Sequence, residues 1–429
     1  MSIENNSTIE QSRNMPKGGE KSIPKGWVET TLGEVINSAN TGLDAIKRAP
    51  IVEEETGVKC FRIQDASQKK TYQDWGNTKV EDRNYKRFKL TKGDILIART
   101  GNSIGVHYLV KNNLVSVFNN GLIRLRTNEK ADYEFLYKIV QSKLFQRYVQ
   151  SIAYGTSTQP NMQINVLLGF NLLLPPLPEQ VAIAQILTAF DDKIELLQAQ
   201  NKTLETTAQT IFKEWFGKYQ IGDELPEGWR VGKLGDICII KNGYAFKSKD
   251  YVDKGVSIVR TTNFKNETID LNTNQVFLTE EKSKEYEKFF LNKFDHLLVM
   301  VGASIGKNVI TPSKVLPSLQ NQNMWNFKIK KQDLKFYCIF LVRKMIKEQL
   351  NSASGSARDF FRKDYFYNLD IIIPNEEILF RFSSIVRIIF EKKDINYTQI
   401  QTLKQTRDTL LPKLMSGQLR IDEFKEGAV

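Results

Sequence analysis

The chain has 429 residues, 41% of them hydrophobic, and 61 Lys plus Arg against 49 Asp plus Glu, a net charge of +12. That length accommodates two or three domains with real cores, and the charge favours a polyanionic partner, nucleic acid ahead of an acidic membrane surface. No apolar run approaches the ~20 residues that span a bilayer. Cys60, Cys238 and Cys338, and the two histidines His107 and His296, are scattered without zinc spacing or a disulfide framework, so a metal site is not expected and a reducing cytoplasm is.

Residues 1–22 are polar and lack an apolar signal core, and are expected to form a disordered tail. From Ile23 the chain reads IPKGWVETTLGEV, then CFRIQD at Cys60, then LTKGDILIARTGNSIG from Leu90. An apolar strand, FNLLLPPLP, closes this segment. After Pro178, Ile183, Leu187, Phe190, Ile194, Leu197, Asn201, Leu204, Ala208 and Ile211 alternate spacings of four and three, a heptad seam with one polar position. No Gly or Pro interrupts it for roughly forty residues, which predicts a helix about 55–60 Å long that needs a long partner.

The same order then returns. LPEGWRVGKLGDI from Leu225 repeats the first motif at a shift of 202, SIVRTTNF from Ser257 pairs Arg260 with Arg62, and LNKFDHLLVMVGASIG from Leu291 repeats the third at a shift of 201. Within it, VGASIGKN looks like a nucleotide-binding loop. A P-loop, however, has four residues between its glycines and Ser or Thr after its Lys. Here three residues separate Gly302 from Gly306, Asn308 follows Lys307, and the twin of Lys307 is Val106. GxSIG is therefore read as a repeated tight turn between two strands, its glycines placed where φ is positive or close approach is needed.

LDIIIP ends the second copy, and a second helix follows with Ile378, Phe382, Ile385 and Ile389, then Ile400, Leu403, Leu410 and Leu414, on its apolar face. Its polar middle slips register, and Pro412 is expected to end or kink it. The predicted fold is α/β (α+β): a tandem duplication of a mixed globular domain followed by a long helix, the two helices paired as an antiparallel coiled coil. The expected boundaries are 1–22 for the tail, 23–177 and 219–374 for the globular domains, 178–218 and 375–422 for the helices, and 423–429 for a C-terminal tail. Shared scaffold positions with diverged loops point to two different readers and an asymmetric, bipartite DNA target.

GWxxxxLG, GxSIG, an apolar strand running into proline and a long helix, each in duplicate, with the run PPLPEQ at residues 175–180 of the first copy and TLLPKLMSGQLRI at residues 409–421, resemble the specificity (S) subunit of type I restriction-modification systems. The resemblance covers residues 23–421 and departs from the family at Val106 and at IPNEE in the second copy. It implies two target-recognition domains reading the halves of a bipartite site in double-stranded DNA. It also implies a helical spacer that sets the gap and docks two modification subunits, and restriction subunits that translocate and cleave. S-adenosylmethionine, ATP and Mg would sit on those partners, with no cofactor or metal on this chain and no membrane.

An enzyme is not expected. The Gly-rich loop and the Asn/Asp-Pro-Pro-aromatic motif of a methyltransferase are missing, and Asp270 with Glu280, Glu281 and Lys282, which mimics a nuclease spacing, reads better as a solvated helix face. The alternative is a coiled-coil scaffold or another basic DNA-binding protein, which a salt-dependent duplex shift would test. Base edges are read by Arg, Lys, Asn and Gln, and phosphates by Lys, Arg and Ser. The candidates are Arg62, Gln64, Lys69, Lys70, Arg83, Lys86, Arg87, Arg99, Asn102, Ser103 and Gln159 in the first copy. In the second they are Lys241, Lys247, Arg260, Asn263, Lys265, Ser304, Lys307, Gln320, Asn321 and Gln322, with Asn263 expected at a base edge.

Overall fold

A computed structural model describes residues 23–153, 161–265, 268–271, 274–352 and 362–421. Both copies begin with the same turn. The Trp27 N–H donates to the Pro24 carbonyl at 3.0 Å and the Trp229 N–H to that of Pro226 at 3.0 Å. Gly26 and Gly228 take positive φ at the third position, which is why the turn carries glycine there. A short antiparallel ribbon follows, Val28–Thr31 with Asn171–Leu174 in the first copy and Arg230–Lys233 with Asp370–Ile373 in the second. The apolar strand that ends each copy thus pairs back onto its start.

Each copy then builds a four-stranded antiparallel sheet: Ile36–Thr41, Leu122–Thr127, Ile95–Ala98, His107–Leu109, and Cys238–Asn242, Met324–Ile329, His296–Val299, Asn308–Ile310. A second small sheet in each contains one parallel pair, Lys59–Phe61 with Ser116–Phe118 and Val256–Val259 with Ser318–Gln320. One buried carboxylate organises each large sheet. Asp94 accepts from the Thr91 N–H (3.0 Å) and from Arg126 Nε (2.5 Å), while Asp295 accepts from the Asn292 N–H (2.8 Å), Asn326 Nδ2 (2.9 Å) and Lys328 Nζ (2.5 Å).

The long helices run over Leu177–Phe216 and Glu376–Met415. The chain divides into two compact units, residues 1–193 with 404–429, and residues 194–403, so the division falls inside both helices. Within the first unit, Ile183, Ala184 and Leu187 share a core with Leu414, and Leu410 packs against it. Within the second, Ile194 and Leu197 meet Ile400 and Leu403, and Ala208, Ile211 and Phe216 meet Leu379, Phe382 and Val386. Residue numbers rise along one helix as they fall along the other, so the segments are antiparallel in each unit. Phe190, Leu204 and Ile389 are half-buried.

One helix expectation needs correction. Ile385 does not pack in the seam: it is 42% exposed, because the buried stripe runs through Leu379, Phe382, Val386 and Phe390, one position away. Pro412 lies in the last turn of the second helix, which ends at Met415. A proline in the last turn forfeits one hydrogen bond, and burial of Leu414 holds that turn in place. Among the described residues no helix is long and apolar enough to cross a membrane.

The polar middle of the helix pair is closed by specific partners. Glu205 accepts from Arg343 Nη1 (2.6 Å), Gln209 Nε2 (2.9 Å) and Lys393 Nζ. The fully buried Asn396 donates its amide to Asn201 Oδ1 at 3.0 Å. Burial alone would raise the Glu205 carboxyl, but Arg343 and Lys393 outweigh it and bring it from 4.5 down to about 2. A folded-state value below the unfolded one gives stability that is present above pH 4.5 and lost as the pH falls toward about 2. Glu205→Gln should therefore destabilise the chain at neutral pH, and the gap in thermal midpoint between variant and parent should close between those limits. A gap constant with pH would mean that the carboxylate does not act through its charge.

Candidate nucleic-acid interface

In the first unit, GxSIG joins Ile95–Ala98 to His107–Leu109, which pair with Ile97 opposite His107. Gly101 and Gly105 have φ of 69° and 87°, and Gly302 and Gly306 repeat this at 80° and 84°. The second glycine has a further reason: a Cβ on Gly105 would lie 2.6 Å from Gln146 Oε1. The loop is therefore the turn expected.

Several candidates gather at this loop. Asn102 is exposed, and the Ser103 hydroxyl accepts from that of Ser67 at 3.2 Å, which docks the helix Ile63–Ser67 against it. Arg99 Nη2 donates to Asn161 Oδ1 at 2.7 Å, while its Nε is buried without a hydrogen-bond partner. Exposed Lys69 takes φ 51° and lies near enough to His107 to help hold that imidazole below its ordinary value, after burial as the larger cause. Gln64 is exposed on the same short helix. Arg62 and Lys70 are held by buried Asp65, at 3.2 and 3.4 Å, which makes them braces for the helix.

Arg83, Lys86 and Arg87 are exposed but sit elsewhere, on the helix Asp82–Phe88. Arg124 caps that helix through the Lys89 and Arg87 carbonyls, at 2.9 and 3.3 Å, and Arg126 joins it to Asp94, at the opposite end of the strand from GxSIG. Gln159 lies outside the described residues.

The second unit gathers a similar set. The Met300 N–H donates to the Asn323 carbonyl at 3.4 Å and the Asn321 N–H to that of Val259 at 3.1 Å. These bonds bring the turn bearing Asn321 and exposed Gln322 to the GxSIG strand end, with Ser304 half-buried and Lys307 exposed on the loop itself. Arg260 follows Val259 directly, and its guanidinium donates to the Asn274 carbonyl. Lys247 is exposed, and Lys265 pairs with Asp270 at 3.0 Å. Lys241 lies apart, opposite Asn326 in the sheet.

Two candidates are corrected by their burial. Asn263 is 0% exposed: its Oδ1 accepts from the Arg260 N–H at 2.9 Å and its Nδ2 donates to the Asp270 carbonyl at 3.2 Å. It caps the turn that Asp65 caps in the first copy, where the Arg62 N–H reaches Asp65 Oδ2 at 2.9 Å. Gln320 is also buried, donating to the Met324 carbonyl at 2.9 Å. Neither presents an edge to a base. As for the nuclease-like spacing, Lys282 pairs with Asp250 at 3.1 Å. Among the described residues no cluster of His, Cys, Asp and Glu is placed to hold a metal.

Sequence reading missed a node in the first unit. Glu179 accepts from the Trp27 indole N–H at 3.0 Å and pairs with Arg420 Nε at 2.9 Å. Next to it, fully buried Gln180 accepts from the Asp132 N–H and donates to the Lys130 and Pro175 carbonyls, each at 2.9 Å. The GW turn, the PPLPEQ run and the SGQLRI ending are thus one structural assembly. That recurring set of motifs has a counterpart among known proteins. The family model "Type I restriction modification DNA specificity domain" matches residues 24–206 and again 226–405.

The chain belongs to this family.

The matches divide as the repeat does, one type I specificity domain to each copy. The chain is 29% identical over 350 residues to the type I restriction enzyme MjaIX specificity subunit of Methanocaldococcus jannaschii, covering 78% of this chain and 79% of that one. It is 23% identical over 405 residues to the HindI specificity subunit of Haemophilus influenzae, covering 77% and 87%. The fold is shared with the crystal structure of a type I restriction-modification S subunit from M. genitalium, at a TM-score of 0.59 and 19% identity over 94% of this chain and 99% of that one.

The burial of Asn263 generates a prediction. Asn263→Ala should lower stability by about 1–2 kcal/mol through the lost cap, and should leave the pattern of DNA sequences bound unchanged. Denaturant unfolding and a sequence-selection assay check the two halves; altered selection with intact stability would return Asn263 to the reading surface.

Proposed function

We propose that this chain is the DNA-recognition subunit of a type I restriction-modification complex, each copy reading one half of an asymmetric, bipartite duplex site. The observation that supports this best is a frame built twice with different exposed side chains upon it. In the first copy exposed Asn102, Lys69 and Gln64 gather by the GxSIG loop, and in the second exposed Gln322 and Lys307 do so with half-buried Asn321. Two different readers on one scaffold are what an asymmetric target requires. Residues 23–177 and 219–374 are taken as the two recognition domains. As in its family, the chain is non-catalytic, and adenine N6 methylation and cleavage belong to modification and restriction subunits acting on cytoplasmic DNA.

The paired helices are taken as the element that sets the gap and seats two modification subunits. Ile388 and Ile395, 72% and 51% exposed, lie with Ile385 along the outer face of the second helix, away from the seam. Such a stripe matches the apolar centre of a protein interface.

Methylome sequencing of a host with and without this chain is the test of function: N6-methyladenine should vanish at one bipartite motif, and an unchanged methylome with the modification subunit expressed would reject the reading. Two finer results are expected. Gln322→Ala should relax specificity at one position of one half-site, by about 1–3 kcal/mol, whereas Lys307→Gln should weaken all duplexes alike and reduce the salt slope by about 1. Identical effects of both on every duplex would reject those roles. Ile388→Asp should abolish co-purification of the modification subunit without lowering the thermal midpoint; an unchanged pull-down would move the docking surface elsewhere.

A further inference from the structure

The two copies differ at one cross-strand pair. In the first, Asn40 faces Arg124; in the second the equivalent pair is Lys241 facing Asn326. Arg124 is 4% exposed, and its guanidinium donates to the Lys89 carbonyl (2.9 Å), the Arg87 carbonyl (3.3 Å) and Asn40 Oδ1 (3.1 Å), lying 5.0 Å over the Phe118 ring. The first copy therefore fills this place with its own cation.

In the second copy each part of that plug is gone. Asn326 is too short to reach across and turns to Asp295, and Gln320 stands where Phe118 would. What remains is an open cleft of about 820 Å³, lined by Lys241, Lys284, Lys288, Lys328, Glu287 and Asn292 together with Phe290. Lys241, Lys284 and Lys288 are exposed. Lys328 is committed to Asp295 at 2.5 Å, and Glu287 is the one carboxylate in the lining. Three exposed ammonium groups against one carboxylate, around a concavity with an amide donor at Asn292, suit an oxyanion.

We propose that this cleft is a phosphate-binding seat, which the second copy has opened and the first keeps filled with Arg124. The ligand chemistry is a phosphate group, carried either by the backbone of a duplex or by free phosphate.

The test uses inorganic phosphate as probe, followed by ³¹P line broadening with the full chain. The Lys284→Gln/Lys288→Gln variant should reduce apparent phosphate affinity by about tenfold or more. The exchange Lys241→Asn/Asn326→Arg restores the first copy's pair at unchanged net charge, and should reduce affinity likewise by filling the cleft. Near-UV circular dichroism checks that each variant folds; if the exchange does not, the two surface lysines decide. Added duplex that releases phosphate, with a salt slope lower by about one in both variants, identifies a backbone phosphate. Phosphate retained beside bound duplex identifies free phosphate. Phosphate binding by a chain that fails to bind duplex would sink the DNA reading and leave the seat standing. Parent and variants broadening phosphate equally, with equal salt slopes, would overturn the seat.

Discussion

The half-buried carboxylate of Glu205, held between Arg343 and Lys393, is the contact on which the second unit depends. It ties three helices at a point where the apolar seam gives way to polar residues. Burying a carboxylate is unfavourable in itself, and removing one of its cations would leave an uncompensated charge. A seam of this kind gains less from area than from uniqueness. Asn396 against Asn201 acts in the same sense, because sliding the helices by a turn would separate both amides from their partners.

The duplicated frame shows which constraints are structural and which are free. Asp94 and Asp295 each stand just before a strand of the large sheet and collect donors from the neighbouring strand, Arg126 in one copy and Asn326 with Lys328 in the other. The buried acceptor persists and its donors vary. The cap at Asp65 became Asn263 with the same backbone N–H captured, so the geometry survives a change of charge. Arg62 then keeps its carboxylate while Arg260 turns to a carbonyl.

Much of this was legible in the sequence. The repeat, the two-strand turn at GxSIG and the seam from Ile183 to Ile211 follow from spacing, because glycine at positive φ and apolar residues at heptad spacing leave direct marks. The second helix was read one position off at Ile385, since several isoleucines and phenylalanines fit either register and only packing chooses among them. The candidate interface was less legible. Asn263 and Gln320 have the chemistry of base readers, but residue type does not report burial, and a cap uses the same amide. The Glu179 node joins residues far apart in the chain, which no local pattern connects. Lys284, Lys288 and Lys328 gain meaning only when the missing guanidinium of Arg124 is set beside them.

The SGQLRI segment follows the second copy in sequence yet completes the first in space. Arg420 reaches Glu179 beside Trp27, and Ile421 is buried in the core shared by Trp27, Leu32 and Leu187. A premature stop codon after residue 415 would therefore leave the second globular copy and its helix in place and strip the first of Arg420 and Ile421. In genetic terms the lesion and the defect would lie at opposite ends of the reading frame, and a map of inactivating truncations would be misread by anyone assuming that damage stays near the break.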